Sequence, residues 1–207
     1  MNIFLETSRL ILRQLCQDDE DNLVTLDSDS EVMRFINGGI PSSREAIAEN
    51  FLPYAMGYYD KDENLGFWAI IEKSSNEFIG WIFLRPESDF KLLQQLNLAE
   101  SDAVELGYRL RKQSWGKGYA TELAKALVNR SFTESNINKI VAWALSENKA
   151  SIRVMEKTGL ELKQKYVVTA NMLTDKSLLE NILVRNLLDR QIVKYQLILN
   201  PIGKVYL

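Results

Sequence analysis

The chain has 207 residues, of which 46% are hydrophobic and 26% are charged. This balance is typical of a soluble globular protein and argues against disorder, and the length predicts a single domain over 1–207 with peripheral additions. The formal charge of -3 comes from 25 basic and 28 acidic residues spread along the chain, a distribution that does not suit nucleic-acid binding. The chain contains no histidine, which excludes Ser-His-Asp and Cys-His hydrolase sites and His-containing zinc sites.

The apolar runs and the cysteine content indicate the cellular compartment of the protein. The longest runs, such as 67–71, are far shorter than the roughly 20 residues that cross a bilayer as a helix, and the start of the chain lacks the pattern of an export signal. Cys16 lies in an apolar stretch and is expected to be a buried, small hydrophobic side chain. A lone cysteine forms no internal disulfide. We therefore expect a cytoplasmic protein without a membrane partner.

The first half of the chain predicts a strand, two helices and a hairpin. Aliphatic residues at 9–15 favour a strand, the acidic residues at 18–21 start a helix, and serines at 42 and 43 cap a second helix. Aromatic and β-branched residues at 66–73 and 78–85 flank a polar turn and indicate an antiparallel hairpin. The long connection at 86–102 has leucines among polar residues, which suits a short amphipathic helix.

The second half of the chain predicts two strand-helix units. A strand at 103–110 leads through a glycine turn at 113–118 into a helix at 119–132. A second strand at 139–145 precedes a helix that Asn148 caps and Gly159 ends. Strands at 165–169 and 191–199, with a helix or loop near 177–188, complete the chain.

The turn at 113–118 suits an anion. Gly116 and Gly118 let backbone amides approach a ligand, and the helix that follows offers unpaired amide donors and the positive end of its dipole. A Gly-x-Gly pair alone is weak evidence, because glycine also serves the geometry of a strand-to-helix turn.

Three segments around and beyond this turn resemble one enzyme family. The order ELGYRLRKQSWGKGYATE at 105–122 closely resembles the acetyl-CoA-binding segment of the GNAT N-acetyltransferase superfamily, and 113–118 fits its Gln/Arg-x-x-Gly-x-Gly/Ala pattern without a gap. The order NKASIRVMEKTGL at 148–160 resembles the Asn-x-x-Ser helix of the branch that acetylates ribosomal-protein N-termini. The opening ETSRLILR at 6–13 is similar to the first strand of that branch. The resemblance thus covers 6–160 and leaves 161–207 as a divergent C-terminal part.

The resemblance implies a fold and a donor site. The expected fold is α/β (α+β), a mixed and mostly antiparallel sheet flanked by helices, with acetyl-CoA entering where two strands splay apart and with no metal. The residues implied in binding the donor are Tyr108, Leu110, Gln113, Trp115, Gly116, Lys117, Gly118, Tyr119, Ala120 and Asn148. For several of them an ordinary structural role competes: Lys117 is either a phosphate contact or a solvated lysine, Trp115 covers the cofactor or packs beside the turn, and Asn148 reaches the pantetheine arm or only caps its helix.

Candidate catalytic residues lie on the same two segments. Glu105 occupies a place where relatives have a carboxylate base, although a strand residue that faces solvent is the competing interpretation. Ser151 matches the serine of the Asn-x-x-Ser helix and is expected near the thiol of departing CoA, where it would donate a proton to the thiolate. Tyr119 and water are the alternative proton donors. The Leu110 amide is the expected donor to the oxyanion, and Glu122 is expected to be structural, one turn into its helix.

The implied reaction is direct attack of a primary amine on acetyl-CoA in a ternary complex. The acceptor is either a protein N-terminus or a small amine, polyamine or antibiotic, and a non-catalytic acyl-CoA-binding module is a further alternative. A peptide needs an open groove between 86–102 and the divergent part, whereas a small amine favours a closed acidic pocket. The sequence does not indicate an oligomeric state.

Overall fold

The computed structural model describes residues 2–173 and 175–199, which form one sheet of eight strands in the order β1-β2-β3-β4-β5-β6-β8-β7. The strands are β1 (Ile3–Glu6), β2 (Leu10–Gln14), β3 (Gly66–Glu72), β4 (Glu77–Pro86), β5 (Val104–Leu110), β6 (Lys139–Leu145), β7 (Glu161–Val167) and β8 (Gln191–Ile198). Only β5 and β6 pair in parallel, and every other pair of neighbours is antiparallel. The expectation of a mixed, mostly antiparallel sheet is confirmed.

Helices cover both faces of this sheet. They are α1 (Glu20–Ser28), α2 (Ser30–Asn37), α3 (Arg44–Ala46), a π-helical turn (Ile47–Phe51), α4 (Leu52–Met56), α5 (Lys91–Gln95), α6 (Tyr119–Glu134), α7 (Lys149–Lys157) and α8 (Ile182–Leu187). The serine cap at 43 is present, since the Ser43 hydroxyl accepts the Ala46 amide at 3.0 Å. No helix in 2–173 or 175–199 is both long and apolar enough to cross a membrane.

The two faces of the sheet carry separate apolar cores. On one face, Leu106 and Leu110 of β5 pack with Leu123 and Leu127 of α6. On the other face, helices α1 to α4 cover the aromatic side chains of β3 and β4. Adjacent residues of β5 therefore point into different cores, because side chains alternate along a strand.

The parallel strands β5 and β6 diverge soon after they pair. Their register includes only Val104 with Ile140 and Glu105 with Val141. Beyond that point β6 stays paired with β8 over its whole length, while β5 continues with β4. The sheet therefore opens into a V whose apex lies at Glu105.

Three features differ from the sequence-based expectations. Strand β1 was not predicted, and neither was α2, which Asp29 caps and which ends at Gly38 in the left-handed region at φ 85°. Cys16 is exposed instead of buried. The apolar alternation of β2 ends at Leu15, and Cys16 lies in the turn to α1, where its amide donates to Asp19 at 3.0 Å.

Candidate active site

The turn between β5 and α6 presents bare backbone amides. Gly116 and Gly118 adopt φ of 73° and 81°, a left-handed conformation that other residues rarely take. A Cβ built on Gly116 would have no atom within 4 Å, so the turn borders open space. No side chain caps α6, which begins directly after Gly118. Its first amides are therefore available to an anion.

The side chains of this turn divide between the cleft and the outer surface. Trp115 lines the cleft, and its indole Nε1 donates to the Leu110 carbonyl at 2.9 Å while the residue stays 45% exposed. Gln113 and Lys117 are exposed and are not among the described residues that line the cleft. The structure thus brings the glycines, Trp115 and the start of α6 together but leaves these two side chains outside.

Glu122 has the structural surroundings expected of it. Its carboxylate contacts the Arg9 guanidinium at 2.6 Å and accepts the Ser8 hydroxyl at 3.2 Å. Arg9 also donates to the Lys117 carbonyl at 2.9 Å. Glu122 thereby joins the segment before β2 to the glycine turn.

The backbone of β5 has unpaired groups on the side that faces the V. The Arg111 amide donates to the Ile79 carbonyl of β4 at 2.8 Å. Hydrogen-bonding direction alternates along an antiparallel strand, so the amides of Tyr108 and Leu110 point away from β4. Beyond Glu105 the neighbouring β6 no longer pairs with them. An extended ligand arm in the V therefore finds strand-like partners.

Helix α7 brings a hydroxyl and an amide to the V. The Asn148 side chain caps α7 by accepting the Ser151 amide at 3.1 Å. The Tyr108 hydroxyl donates to the Ser151 hydroxyl at 3.4 Å. Burial raises the pKa of Tyr108, which keeps its hydroxyl protonated at neutral pH. Tyr119 points elsewhere, since its hydroxyl donates to Glu72.

Two cavities meet at this pair of hydroxyls. The glycine-turn cleft, of about 1050 Å³, is lined by the turn, the start of α6 and the start of α7. The aromatic cavity, of about 580 Å³, lies between β3 to β6 and helices α1 to α4. Tyr108, Asn148, Ser151 and Val154 line both cavities. A ligand arm in the cleft would end where it faces the aromatic cavity.

Three cross-strand pairs of β4 and β5 form the floor of the aromatic cavity. The pairs are Arg85 with Glu105, Phe83 with Gly107, and Trp81 with Arg109. A Cβ on Gly107 would lie 2.3 Å from Cε1 of Phe83, so the glycine leaves room for the ring above it. Phe83 stacks on Phe67 of β3 with centroids 4.9 Å apart and planes inclined by 22°.

An ion pair lies on each side of this aromatic floor. Glu105 is 6% exposed and receives Arg85 Nε at 2.8 Å and Nη2 at 2.7 Å. Arg109 pairs with Asp27 of α1, whose other oxygen accepts the Ser42 hydroxyl at 2.8 Å. Both pairs are shielded from solvent by the helices, which makes their electrostatic interaction stronger than on a surface.

The position of Glu105 rules out the interpretation of this residue as a strand residue that faces solvent. It lines the aromatic cavity and does not face solvent. Burial raises the pKa of Glu105 above its ordinary value, while the charge and hydrogen bonds of Arg85 act in the opposite direction. A carboxyl with a raised pKa in a cavity has the chemistry of a proton acceptor.

Residues 9–161 match the model of a family described as the acetyltransferase (GNAT) domain. The chain belongs to the GNAT acetyltransferase family. This finding confirms the resemblance of the three sequence segments, and it makes the chain an N-acetyltransferase of a family whose donor is acetyl-CoA.

Two relatives are similar to this acetyltransferase over about three quarters of its length. The chain is 30% identical over 161 residues to the protein YkkB of Bacillus subtilis, which covers 75% of this chain and 84% of the relative. It is 30% identical over 157 residues to the FsC-acetyl coenzyme A-N(2)-transacetylase of Aspergillus fumigatus, with 75% of this chain and 64% of that relative covered.

Solved structures share the fold of this acetyltransferase. A GNAT-family acetyltransferase from Bacillus anthracis superposes with a TM-score of 0.70 at 22% identity and covers 96% of this chain and 98% of its own. RimL, a ribosomal L7/L12 alpha-N-protein acetyltransferase bound to coenzyme A, gives 0.70 at 16% identity, covering 95% and 98%. The spermidine N-acetyltransferase of Vibrio cholerae with CoA and spermine gives 0.66 at 17%, covering 93% and 96%. At these identities the likeness concerns the fold.

The divergent part of this acetyltransferase packs against the connection at 86–102. Leu92 and Leu96 form an apolar cluster with Val168, Leu173 and Val184. The aromatic cavity reaches between the two segments, because Leu92 and Leu96 of the connection and Ile182 and Leu187 of the divergent part line it. Its lining thus combines α5 and α8 with the aromatic floor.

A buried charge network that the sequence analysis missed lies under the same connection. Lys194 of β8 is 1% exposed and contacts Glu87 at 2.8 Å and Glu100 at 2.6 Å. Glu87 also accepts the indole N–H of Trp143 at 2.6 Å. In the sequence Lys194 is one polar residue inside a strand, and no local pattern distinguishes it from a solvated lysine. The pairing of β6 with β8 places Lys194 opposite Trp143, whose indole contacts Glu87.

Proposed function

We propose that this acetyltransferase moves the acetyl group of acetyl-CoA to a primary amine, which attacks the thioester directly where the glycine-turn cleft meets the aromatic cavity. The observation that carries the proposal is that Tyr108 and Ser151 line both cavities. Reactants that enter from opposite sides would meet there without a covalent enzyme intermediate. Holding two reactants in this way removes much of the entropic cost of their encounter.

The described residues fit acetyl-CoA as the donor. The open space at Gly116 accommodates a pyrophosphate against the first amides of α6. The amides of Tyr108 and Leu110, which face the V, suit the amide groups of a pantetheine arm. Asn148 and Ser151 lie across the V from them, at the start of α7.

Glu105 is the proposed proton acceptor. An alkylamine with a pKa near ~10 is mostly protonated at neutral pH and must lose a proton before it attacks. Nε and Nη2 of Arg85 both contact Oε2 of Glu105. Within 2–173 and 175–199, Oε1 of Glu105 has no hydrogen-bond partner. That oxygen is available to the amine or to a water next to it.

Tyr108 and Ser151 are proposed to serve the leaving thiolate, and Leu110 the carbonyl oxygen. As the nitrogen bonds to the acetyl carbon, the carbon–sulfur bond breaks and the sulfur needs a proton. The Tyr108 hydroxyl, linked to Ser151 at 3.4 Å, can supply it, and the second proton that the nitrogen loses as the amide forms restores this hydroxyl. The Leu110 amide supplies a hydrogen bond to the negative charge that develops on oxygen.

Ligand binding and turnover test this proposal separately. The purified chain is expected to be stabilised by acetyl-CoA in thermal unfolding and to form an acetylated amine, detected by mass spectrometry, only when donor and acceptor are both present. Stabilisation without product for any amine would favour the non-catalytic acyl-CoA-binding module. A cytoplasmic location remains part of the proposal and is supported by the single cysteine.

A further inference from the structure

We infer that the acceptor is a compact amine with one positive charge and an aromatic or apolar body, and that polyamines and peptide N-termini are poor acceptors. The inference rests on the proposed amine acetylation and adds the chemical class of the acceptor. It follows from three properties of the aromatic cavity: its floor, its charges and its apolar wall toward the divergent part.

The floor of the cavity offers rings to the body of the acceptor. Phe83 lies over Gly107 in the middle of β4 and β5, with Trp81 and Phe67 beside it at centroid distances of 5.8 Å and 4.9 Å. Phe51 of the π-helical turn closes over Trp81 at 5.3 Å. Planar and apolar groups gain stacking and burial energy on such a surface, whereas a flexible polycation would lose hydration there.

The charges of the cavity do not favour a second ammonium group. Among the described residues that line it, the carboxylates are Asp27 and Glu105, and each is already paired with an arginine. Glu105 is engaged with one amine by the proposed mechanism. A second cationic centre would lie near the guanidinium of Arg85 or Arg109, and like charges in a buried site repel strongly.

The spacing of the two ion pairs limits the acceptor to a short molecule. Glu105 and Arg109 are four residues apart on one face of β5, which separates their Cα atoms by about 13 Å. An amine at Glu105 therefore has its body on Phe83 and its far end at the Arg109–Asp27 pair. Toward the divergent part, the cavity is lined by the hydrocarbon side chains of Leu92, Leu96 and Leu187, which offer no hydrogen bonds to the backbone of a longer peptide.

A panel of acceptors tests the inference on the full chain. With saturating acetyl-CoA, kcat/KM is measured by mass spectrometry for 2-phenylethylamine, 1,4-diaminobutane, spermidine and a short peptide with a free N-terminus. The expected result is a preference of at least about tenfold for 2-phenylethylamine over each of the others. A preference for the diamine, spermidine or the peptide would overturn the inference and leave the transferase proposal intact. Acetylation of none of them would overturn the inference, whereas the transferase proposal fails only when no amine of a wider screen gives product.

A pair of variants tests whether the second ion pair excludes diamines. Arg109→Met removes the guanidinium and leaves the Asp27 carboxylate in the cavity, with Ser42 as its remaining partner in the described part of the chain. The ratio of kcat/KM for 1,4-diaminobutane to that for 2-phenylethylamine is expected to rise about tenfold. The double variant Asp27→Asn/Arg109→Met has the same space without the charge and is expected to return the ratio to that of the unmodified chain. An unchanged ratio in Arg109→Met, or the same rise in both variants, would contradict the assigned role.

Discussion

Arg85 contacts Glu105 through two guanidinium nitrogens, and both contacts end on the same carboxylate oxygen, Oε2. The pair forms between β4 and β5 at the apex of the V, where Glu105 also takes part in the last register position with β6. An arginine that holds one oxygen fixes the orientation of the carboxylate and leaves the second oxygen for chemistry. It also offsets part of the cost of burying the charge.

Replacement of this carboxylate is the most direct kinetic test of its role. Glu105→Gln keeps the volume and an oxygen for Arg85 but cannot accept a proton. We expect kcat to fall about 10²- to 10⁴-fold with an amine acceptor, which is the range that general base catalysis contributes. Affinity for acetyl-CoA, measured by calorimetry, should stay within about twofold.

Glu161→Gln, at an exposed position of β7, serves as the matched control and should keep the activity of the unmodified chain. If Glu105→Gln retained more than half of kcat, Glu105 would not be the base.

The pH dependence of kcat/KM provides an independent test. Burial raises the pKa of Glu105 above 4.5, with Arg85 opposing the shift, so the base is lost at pH values where an exposed glutamate is still ionised. Activity should therefore fall as pH decreases through the raised pKa, and Arg85→Met should move this acidic limb to higher pH. The free energy of unfolding changes with pH in the opposite direction. The contribution of Glu105 to it is fully present below the ordinary pKa of a glutamate and is lost as pH rises through the raised pKa. An acidic limb that Arg85→Met leaves in place would argue against Glu105 as the titrating group.

Much of the donor side of the site was predictable, because its chemistry is local in the sequence. The turn at Gly116 and Gly118 and the cap at Asn148 each lie between a strand and the helix that follows it, and the structure has them as expected. Gln113 and Lys117 were predicted as donor-binding residues from the motif; both are exposed and are not among the described residues that line the cleft, and their role stays a prediction. Motif spacing determines backbone position better than it determines where long exposed side chains point.

The acceptor side depended on contacts distant in sequence. Arg85 precedes Glu105 by 20 residues, and Asp27 precedes Arg109 by 82. Neither partnership has a local pattern, so the sequence made Glu105 the candidate base but left a solvent-facing strand residue as the competing interpretation. Strand register decides the first pair, and the packing of α1 on the sheet decides the second.

The open space at Gly116 predicts a selective effect on the donor. Gly116→Ala adds a Cβ that touches nothing in the structure at a residue that lines the cleft, and the left-handed φ of 73° costs about 1–2 kcal/mol for alanine. We expect the Kd for CoA, measured by calorimetry, to rise at least about tenfold. Gly159→Ala, at φ 94° after α7, carries similar strain with its nearest atom 4.0 Å away, and should lower stability by a similar amount without weakening CoA. Equal CoA affinities in the two variants would show that Gly116 does not border the pyrophosphate.

The buried pair of Lys194 and Glu87 predicts a strong and non-additive effect on stability. Glu87 is 0% exposed, so Lys194→Met leaves its carboxylate in the interior, where its remaining partners among the described residues are the Trp143 indole and the Glu100 amide. We expect the free energy of unfolding, measured in urea, to fall by about 3–5 kcal/mol, because one uncompensated charge remains. The double variant Glu87→Gln/Lys194→Met removes both charges and should be destabilised less than Lys194→Met alone. A double variant that is less stable than Lys194→Met would show that the two side chains contribute independently to stability. The unpaired carboxylate of Glu87 would then not be the cause of the destabilisation.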